Sequence, residues 1–395
     1  MSGGKRIDFA WELGGRTGHV TTLLPLARAM RARGHQVRFL LREIAAGADL
    51  EGAADIPREH APVWVGETID RHGGNFAEVL LNFGYHDPVA LKELVDAWRE
   101  RLADTRCVVA NVAPSAHLAA RTLGIPSFEA SQGYHIPPSA MPTPPLRDWE
   151  PVPLARLEAA DRRVLDAMNA VLGAYGAPVL GTIGELFSDR AMLLTYPELD
   201  VYPGRGPAHY YGITDTAEGS AAPEWPPGNG PRTFAYLYSD YALLERLLDA
   251  LGAAGLPTLA FCRGMEPGLS RRHNGARMKL SAEPMSVSHV VPRCDLVICH
   301  GSHQMTAQSL LAGKPLFLLP TQLEQFLVAR RAVRFGAALA IAPEAPDADF
   351  GAALRELGAN PVYAARAREF AERYRSHDRA AALASIIARC EASLS

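Results

Sequence analysis

One unit recurs along this chain and limits its fold more than any other feature. A short apolar run stops at small or polar residues, an amphipathic stretch at helical spacing follows, and a second apolar run begins. Ile7 to Trp11 ends at "ELGGRTGHV", and "TTLLPLARAMRARGH" then places Leu23, Leu26, Ala27 and Met30 at helical intervals. Gly34 suits the end of that helix, and "QVRFLL" reads as the next strand. "CVVANVAPSAHLAARTLGIPSFEA" repeats the pattern. So do "TFAYLYS", "YALLERLLDALGAAG" and "PTLAFCRG", and then "CDLVICH", a helix and "KPLFLLP". Strands alternating with helices form parallel sheets covered on both faces, so the fold class is α/β with two Rossmann-like, doubly wound domains.

The length of 395 residues exceeds what one ordinary core holds, which supports two domains. "TDTAEGSAAPEWPPGNGPR" is dense in Gly, Pro and Ser without hydrophobic periodicity and separates them as a linker. The expected division is 1–213, a linker 214–232, a second domain 233–375, and a C-terminal helix 376–395 able to pack back on the first domain. A net charge of −3 leaves no basic footprint for nucleic acid. No apolar run reaches the ~18 residues of a spanning helix, and no signal peptide opens the chain. The five cysteines form no C-x-x-C pair, which fits small core residues in a reducing, cytoplasmic compartment.

Chemistry concentrates between Cys294 and Gln325. A polar turn after "CDLVICH" feeds a helix, and free backbone N–H groups with the helix dipole favour a diphosphate there. His300, Ser302, Gln304 and Thr306 can add side-chain donors; equally, Ser302 or Thr306 can cap the helix and His300 can be a satisfied core histidine. Glu324 and Gln325 lie just past the next strand, where a carboxylate beside an amide suits the vicinal hydroxyls of a sugar.

The pattern from His300-Gly301 through Gln308, then "LLAGKPLFLLP", then Pro320-x-x-x-Glu324-Gln325 resembles the donor-site signature of nucleotide-sugar glycosyltransferases. These are the GT-B enzymes of the UDP-glycosyltransferase and macrolide glycosyltransferase type, and "ARRAVRFGAALAI" agrees with them. The resemblance implies two domains facing across a cleft and metal-independent, inverting transfer with no cofactor beyond the nucleotide sugar. It implies a donor site of Ser239, His300, Gly301, Ser302, Gln304, Thr306, Gln308, Glu324 and Gln325, with His300 on the pyrophosphate and Glu324 and Gln325 on the sugar. Four positions depart from the family. Ser302 and Gln304 replace usual glycines, Met305 replaces a frequent hydroxyl residue, and Gln308 replaces the glutamate that binds the ribose diol. A dTDP-sugar therefore stays open beside a UDP-sugar.

Gly18-His19-Val20 matches the family's Gly-His-Val segment, whose histidine deprotonates the acceptor, and an imidazole suits that role near neutral pH. The aspartate that orients this histidine in many relatives is replaced by Asn111, which cannot neutralise an imidazolium and could stabilise the wrong tautomer. Glu12 and Glu129 are candidate substitutes. Asp347-Ala348-Asp349 is formally a metal-binding D-x-D, but Asp349 precedes "FGAALRELG" and reads as a helix N-cap. Phe83, Tyr85, His86, Tyr134 and His135, with Trp149, suggest an acceptor with an apolar or aromatic face. The partners implied are a nucleotide-sugar donor and a small-molecule acceptor, with homodimerisation left open. An epimerase on the same fold and a catalytically degenerate binding protein are the alternative readings.

Overall fold

The structure is a computed structural model and describes residues 4–15, 17–69, 73–187, 190–214, 224–342, 345 and 348–394. The chain divides into two compact units. One comprises Met1–Pro197, Tyr202–Ala217 and Asp378–Ser395, and the other Glu198–Val201 and Glu218–His377.

The first unit is built on a six-stranded sheet in the order β3-β2-β1-β4-β5-β6. Its strands are β1 (Arg6–Trp11), β2 (Gln36–Leu41), β3 (Arg58–His60), β4 (Cys107–Ala110), β5 (Ser127–Ser131) and β6 (Ala191–Leu193), and every pairing is parallel. Side chains alternate across the sheet with period two. Ile7, Phe9 and Trp11 therefore join one buried cluster, with the helices Gly18–Ala32 and Arg379–Ala392, while Ala10 joins the cluster on the other face. Asp8 is the exception in β1. It is fully buried, and the fork of Arg38 (2.6 and 3.1 Å) and the hydroxyl of Thr105 satisfy it.

The second unit repeats the plan in the order β12-β11-β10-β7-β8-β9. Its strands are β7 (Thr233–Tyr238), β8 (Thr258–Arg263), β9 (Met278–Ser281), β10 (Leu296–Cys299), β11 (Leu316–Leu318) and β12 (Ala338–Ala340), again all parallel. Leu244, Leu247, Leu248 and Leu251 of one helix and Phe350, Leu354 and Leu357 of another cover one face.

The strand orders locate the sites. In each sheet the chain winds outward in one direction, returns to the centre and winds the other way. The reversal falls between β1 and β4 in the first sheet and between β7 and β10 in the second. Open α/β sheets bind ligands in the crevice beyond the carboxyl ends of the strands at that reversal. Among the described residues no helix is long and apolar enough to cross a membrane, and all five cysteines are buried and free.

Candidate active site

At the first reversal, the first turn of the helix Gly18–Ala32 delivers His19 and the end of β4 delivers Asn111. His19 Nδ1 lies 2.6 Å from Asn111 Oδ1. Asn111 Nδ2 donates to the Ala130 carbonyl at 2.6 Å, an acceptor only, so the amide is oriented with its oxygen toward the imidazole. His19 must then carry its proton on Nδ1, leaving the Nε2 lone pair available. The concern that asparagine would hold the wrong tautomer is thereby answered. A Cβ on Gly14 would come within 2.7 Å of His19 Nε2, and Gly14 has φ +84°. The missing side chain keeps the space beside that nitrogen open. Burial pushes the imidazole down to about 4, against a smaller upward pull from Asn111.

The support around this pair was not evident from the sequence. The fully buried Trp11 lies against the His19 ring, with centroids 4.8 Å apart and planes 19° from parallel, and its Nε1 donates to Leu13 O at 2.7 Å. Val112, next to Asn111, has φ +60°, a left-handed conformation costing a β-branched residue about 1–3 kcal/mol. Glu129 Oε1 accepts its N–H at 2.7 Å, and its carbonyl accepts from Glu12 N and Leu13 N, so the strained turn is held from both sides. Glu129 also bonds Ser131 Oγ and His117 Nε2. Glu12 is buried at the start of the helix Pro114–Leu123, accepts from Ser115 N at 2.9 Å, and is pushed up to about 8 by desolvation. Glu129 is thus committed to other partners, and Glu12 is held at Ser115 by one oxygen while its Oε1 has no hydrogen-bond partner among the described residues.

At the second reversal, His300 ties three strand ends together. Its Nδ1–H donates to the Leu319 carbonyl at 2.8 Å, and its Nε2 accepts the N–H of Tyr238 at 3.1 Å. The ring is buried beside Tyr238 and Tyr241. With its one hydrogen given to a carbonyl, His300 has none to offer a diphosphate. The expected side-chain donor is corrected to a histidine that fixes the crevice. Gly301 has φ +77°, and a Cβ there would lie 3.0 Å from Gln325 O, so only glycine lets the two loops approach. The helix His303–Leu311 begins immediately after, and no side chain caps its N-cap residue Ser302. Gln325, at the start of the helix Leu323–Phe335, accepts from Thr321 N (2.9 Å) and Thr321 Oγ1 (3.0 Å). Its oxygen serves the loop, so its NH₂ group is the end suited to a ligand.

No family model matches the chain. A zeaxanthin glucosyltransferase from Pseudescherichia vulneris is 24% identical over 340 residues, spanning 80% of this chain and 82% of that protein. The crystal structure of the calicheamicin glycosyltransferase CalG4 matches with a TM-score of 0.70 at 20% identity, covering 99% of this chain and 98% of that one. Glycosyltransferase VinC in complex with dTDP matches at 0.67 and 15% identity, covering 97% and 100%. The chain has the GT-B fold.

On this GT-B scaffold the remaining expected residues fall into groups. Ser239 is exposed at the end of β7, with its Oγ 2.8 Å from where a Gly264 Cβ would stand. Ser302, Gln304 and Glu324 are half-buried near the starts of their two helices, and Gln308 is half-buried within the first of them. Thr306 is fully buried and its hydroxyl has no partner among the described residues, so it lines the core rather than the surface. On the acceptor side, the turn Gly133–His135 brings the His135 ring to 6.2 Å from His19, with Tyr134 against His135 and Phe76. Tyr85 is corrected: it has no exposed surface, and its hydroxyl bonds Ser115 Oγ at 2.8 Å, making it a core residue. Phe83 packs half-buried on the same core, Trp149 bonds Glu150, and His86 bonds Leu81 O beside Trp64. Nothing draws these three to His19. Asp349 caps the helix Phe350–Ala359 through Ala352 N, and Asp347 lies outside the described residues.

Proposed function

We propose that the chain is an inverting glycosyltransferase that moves a sugar from a UDP- or dTDP-sugar to a hydroxyl of a small acceptor with an apolar or aromatic face. The observation that carries this reading is His19, held by Asn111 in the tautomer that leaves Nε2 as a base beside the gap at Gly14. In the reaction, Nε2 takes the acceptor's hydroxyl proton as that oxygen bonds to the anomeric carbon. The bond from that carbon to the nucleotide diphosphate breaks, and its electron pair leaves with the diphosphate oxygen. One displacement inverts the centre. The backbone N–H groups and dipole opening the helix His303–Leu311 stabilise the departing charge, and the Gln325 NH₂ group and Glu324 carboxylate hold the sugar. No step calls for a metal.

The dTDP complex of VinC supports a deoxyribose donor for this chain, and Gln308 in place of a charged ribose ligand agrees with it. The relative named for zeaxanthin, together with Tyr134 and His135 near His19, supports the acceptor class. The five free cysteines fit a cytoplasmic setting.

The test is mass spectrometry of an acceptor library incubated with UDP- and dTDP-sugars, using the full chain and His19→Ala. Glycosylated product that falls at least ~100-fold in the variant, with nucleotide binding retained, is the expected result. Sugar interconversion without an acceptor would replace this reading by an epimerase. Retained biological function in His19→Ala would make the protein a binding subunit.

A further inference from the structure

Proton transfer to His19 creates an imidazolium in a desolvated position, and something must accommodate that charge. Asn111 orients the ring but carries no charge. Glu12 and Glu129 are buried, bonded to Ser115 and to Val112 and His117, and among the described residues the hydrogen bond to Asn111 is the one interaction that raises the His19 pKa. His135, with its ring 6.2 Å away, brings no negative charge. Glu43 reaches only within 4.0 Å of where a Gly15 Cβ would stand. What does face the ring is the indole of Trp11, stacked at 4.8 Å and 19°. Tryptophan has the most negative π-face of the aromatic side chains, and a cation within ~6 Å of it is stabilised, most strongly away from water.

We propose that Trp11 is the positioning residue that stabilises the His19 cation through its π-face, taking the electrostatic part of the role that Asn111 cannot perform. The inference rests on the transferase reading for its purpose, though not for its physical content. Two functions that one carboxylate can combine are divided here between two neutral side chains. Asn111 fixes the tautomer, and Trp11 accommodates the charge. The division also explains why a tryptophan is fully buried at the last position of β1, where any apolar residue would fill the core.

Because Trp11 is core, Trp11→Leu risks unfolding, so the decisive series replaces it with mono-, di- and trifluorotryptophan, which empties the π-face of negative charge at nearly constant shape. The His19 pKa is read by NMR in the free protein, beside the melting temperature. With each fluorine the pKa should step down, by about one unit over the series, at constant melting temperature. The turnover number should fall about ten-fold in all, equivalent to ~1.4 kcal/mol, with both Michaelis constants unchanged. Asn111→Asp should raise the His19 pKa and flatten the dependence of turnover on fluorination. A His19 pKa constant across the series would overturn the inference. A shifting pKa in a protein that transfers no sugar would uphold it and count against the transferase reading alone.

Discussion

In the proposed reaction His19 is the base, a half-buried imidazole whose partial desolvation favours the neutral form. Folding lowers its pKa from the ~6.5 of a free imidazole to about 4, so the unfolded chain binds more protons between those values. Through this residue the native state therefore gains stability as pH rises across that window and loses it on acidification toward pH 4. Activity should follow the same residue. We expect kcat/KM to stay level from about pH 7.5 down to 5.5 and to fall below about pH 5 with a single protonation. A midpoint near 6.5 in the pH profile would contradict the desolvated geometry. The pair His19 and Asn111 was legible because a short motif and a strand end identify both positions. Trp11, Val112 and Glu129 were not, since stacking, a left-handed β-branched residue and a carboxylate folded back on a backbone N–H arise only from tertiary contact.

At the scale of elements, the turn that joins two strand ends does more than either strand. Gln325 holds the loop with its oxygen, and the proposed reaction gives its amide nitrogen to the sugar, so the two roles can be separated. Gln325→Glu keeps an acceptor for Thr321 and removes the donor. Its melting temperature should stay within about 2 °C, while KM for the nucleotide sugar rises roughly ten-fold, the effect of one lost hydrogen bond to a ligand. A large loss of melting temperature without a change in KM would confine Gln325 to the loop. Strand β2 could be read residue for residue because Gln36–Leu41 is long enough to show an apolar run between a glycine turn and a polar break. β3, β6, β11 and β12 have three residues each, too few for any period to register, and β11 was legible only because "KPLFLLP" extends its apolar run. His300 was misjudged for a related reason: sequence marks a histidine at a strand end, but whether its hydrogen is already spent depends on a carbonyl 19 residues away.

At the scale of the molecule, the chain's last helix completes its first unit. Ile386, Ile387 and Cys390 of Arg379–Ala392 are buried against Ile7, Phe9 and Met30, and Arg389 bonds the Ala191 carbonyl and the Tyr211 hydroxyl. Removing residues 379–395 should destabilise that unit by at least ~4 kcal/mol, from two buried isoleucines at about 2 kcal/mol each. Calorimetry should show the loss in the transition of the first unit, with that of the second little changed. Two equal shifts would mean that the units unfold as one. The doubly wound plan of both units was visible in the strand–helix alternation, and so was a C-terminal helix able to turn back. Which side chains would seat it was not, because the 379–392 helix shares no local pattern with β1. The order of synthesis gives this connection a further consequence. A ribosome releases β1 to β6 long before the 379–392 helix that completes their cover, so the nascent first unit waits with one face of its sheet covered only in part, by the helix Gly18–Ala32, while the second unit is being made. Folding of the first unit thus waits on the 379–392 helix, and its loss leaves an exposed apolar surface on the half that was made first.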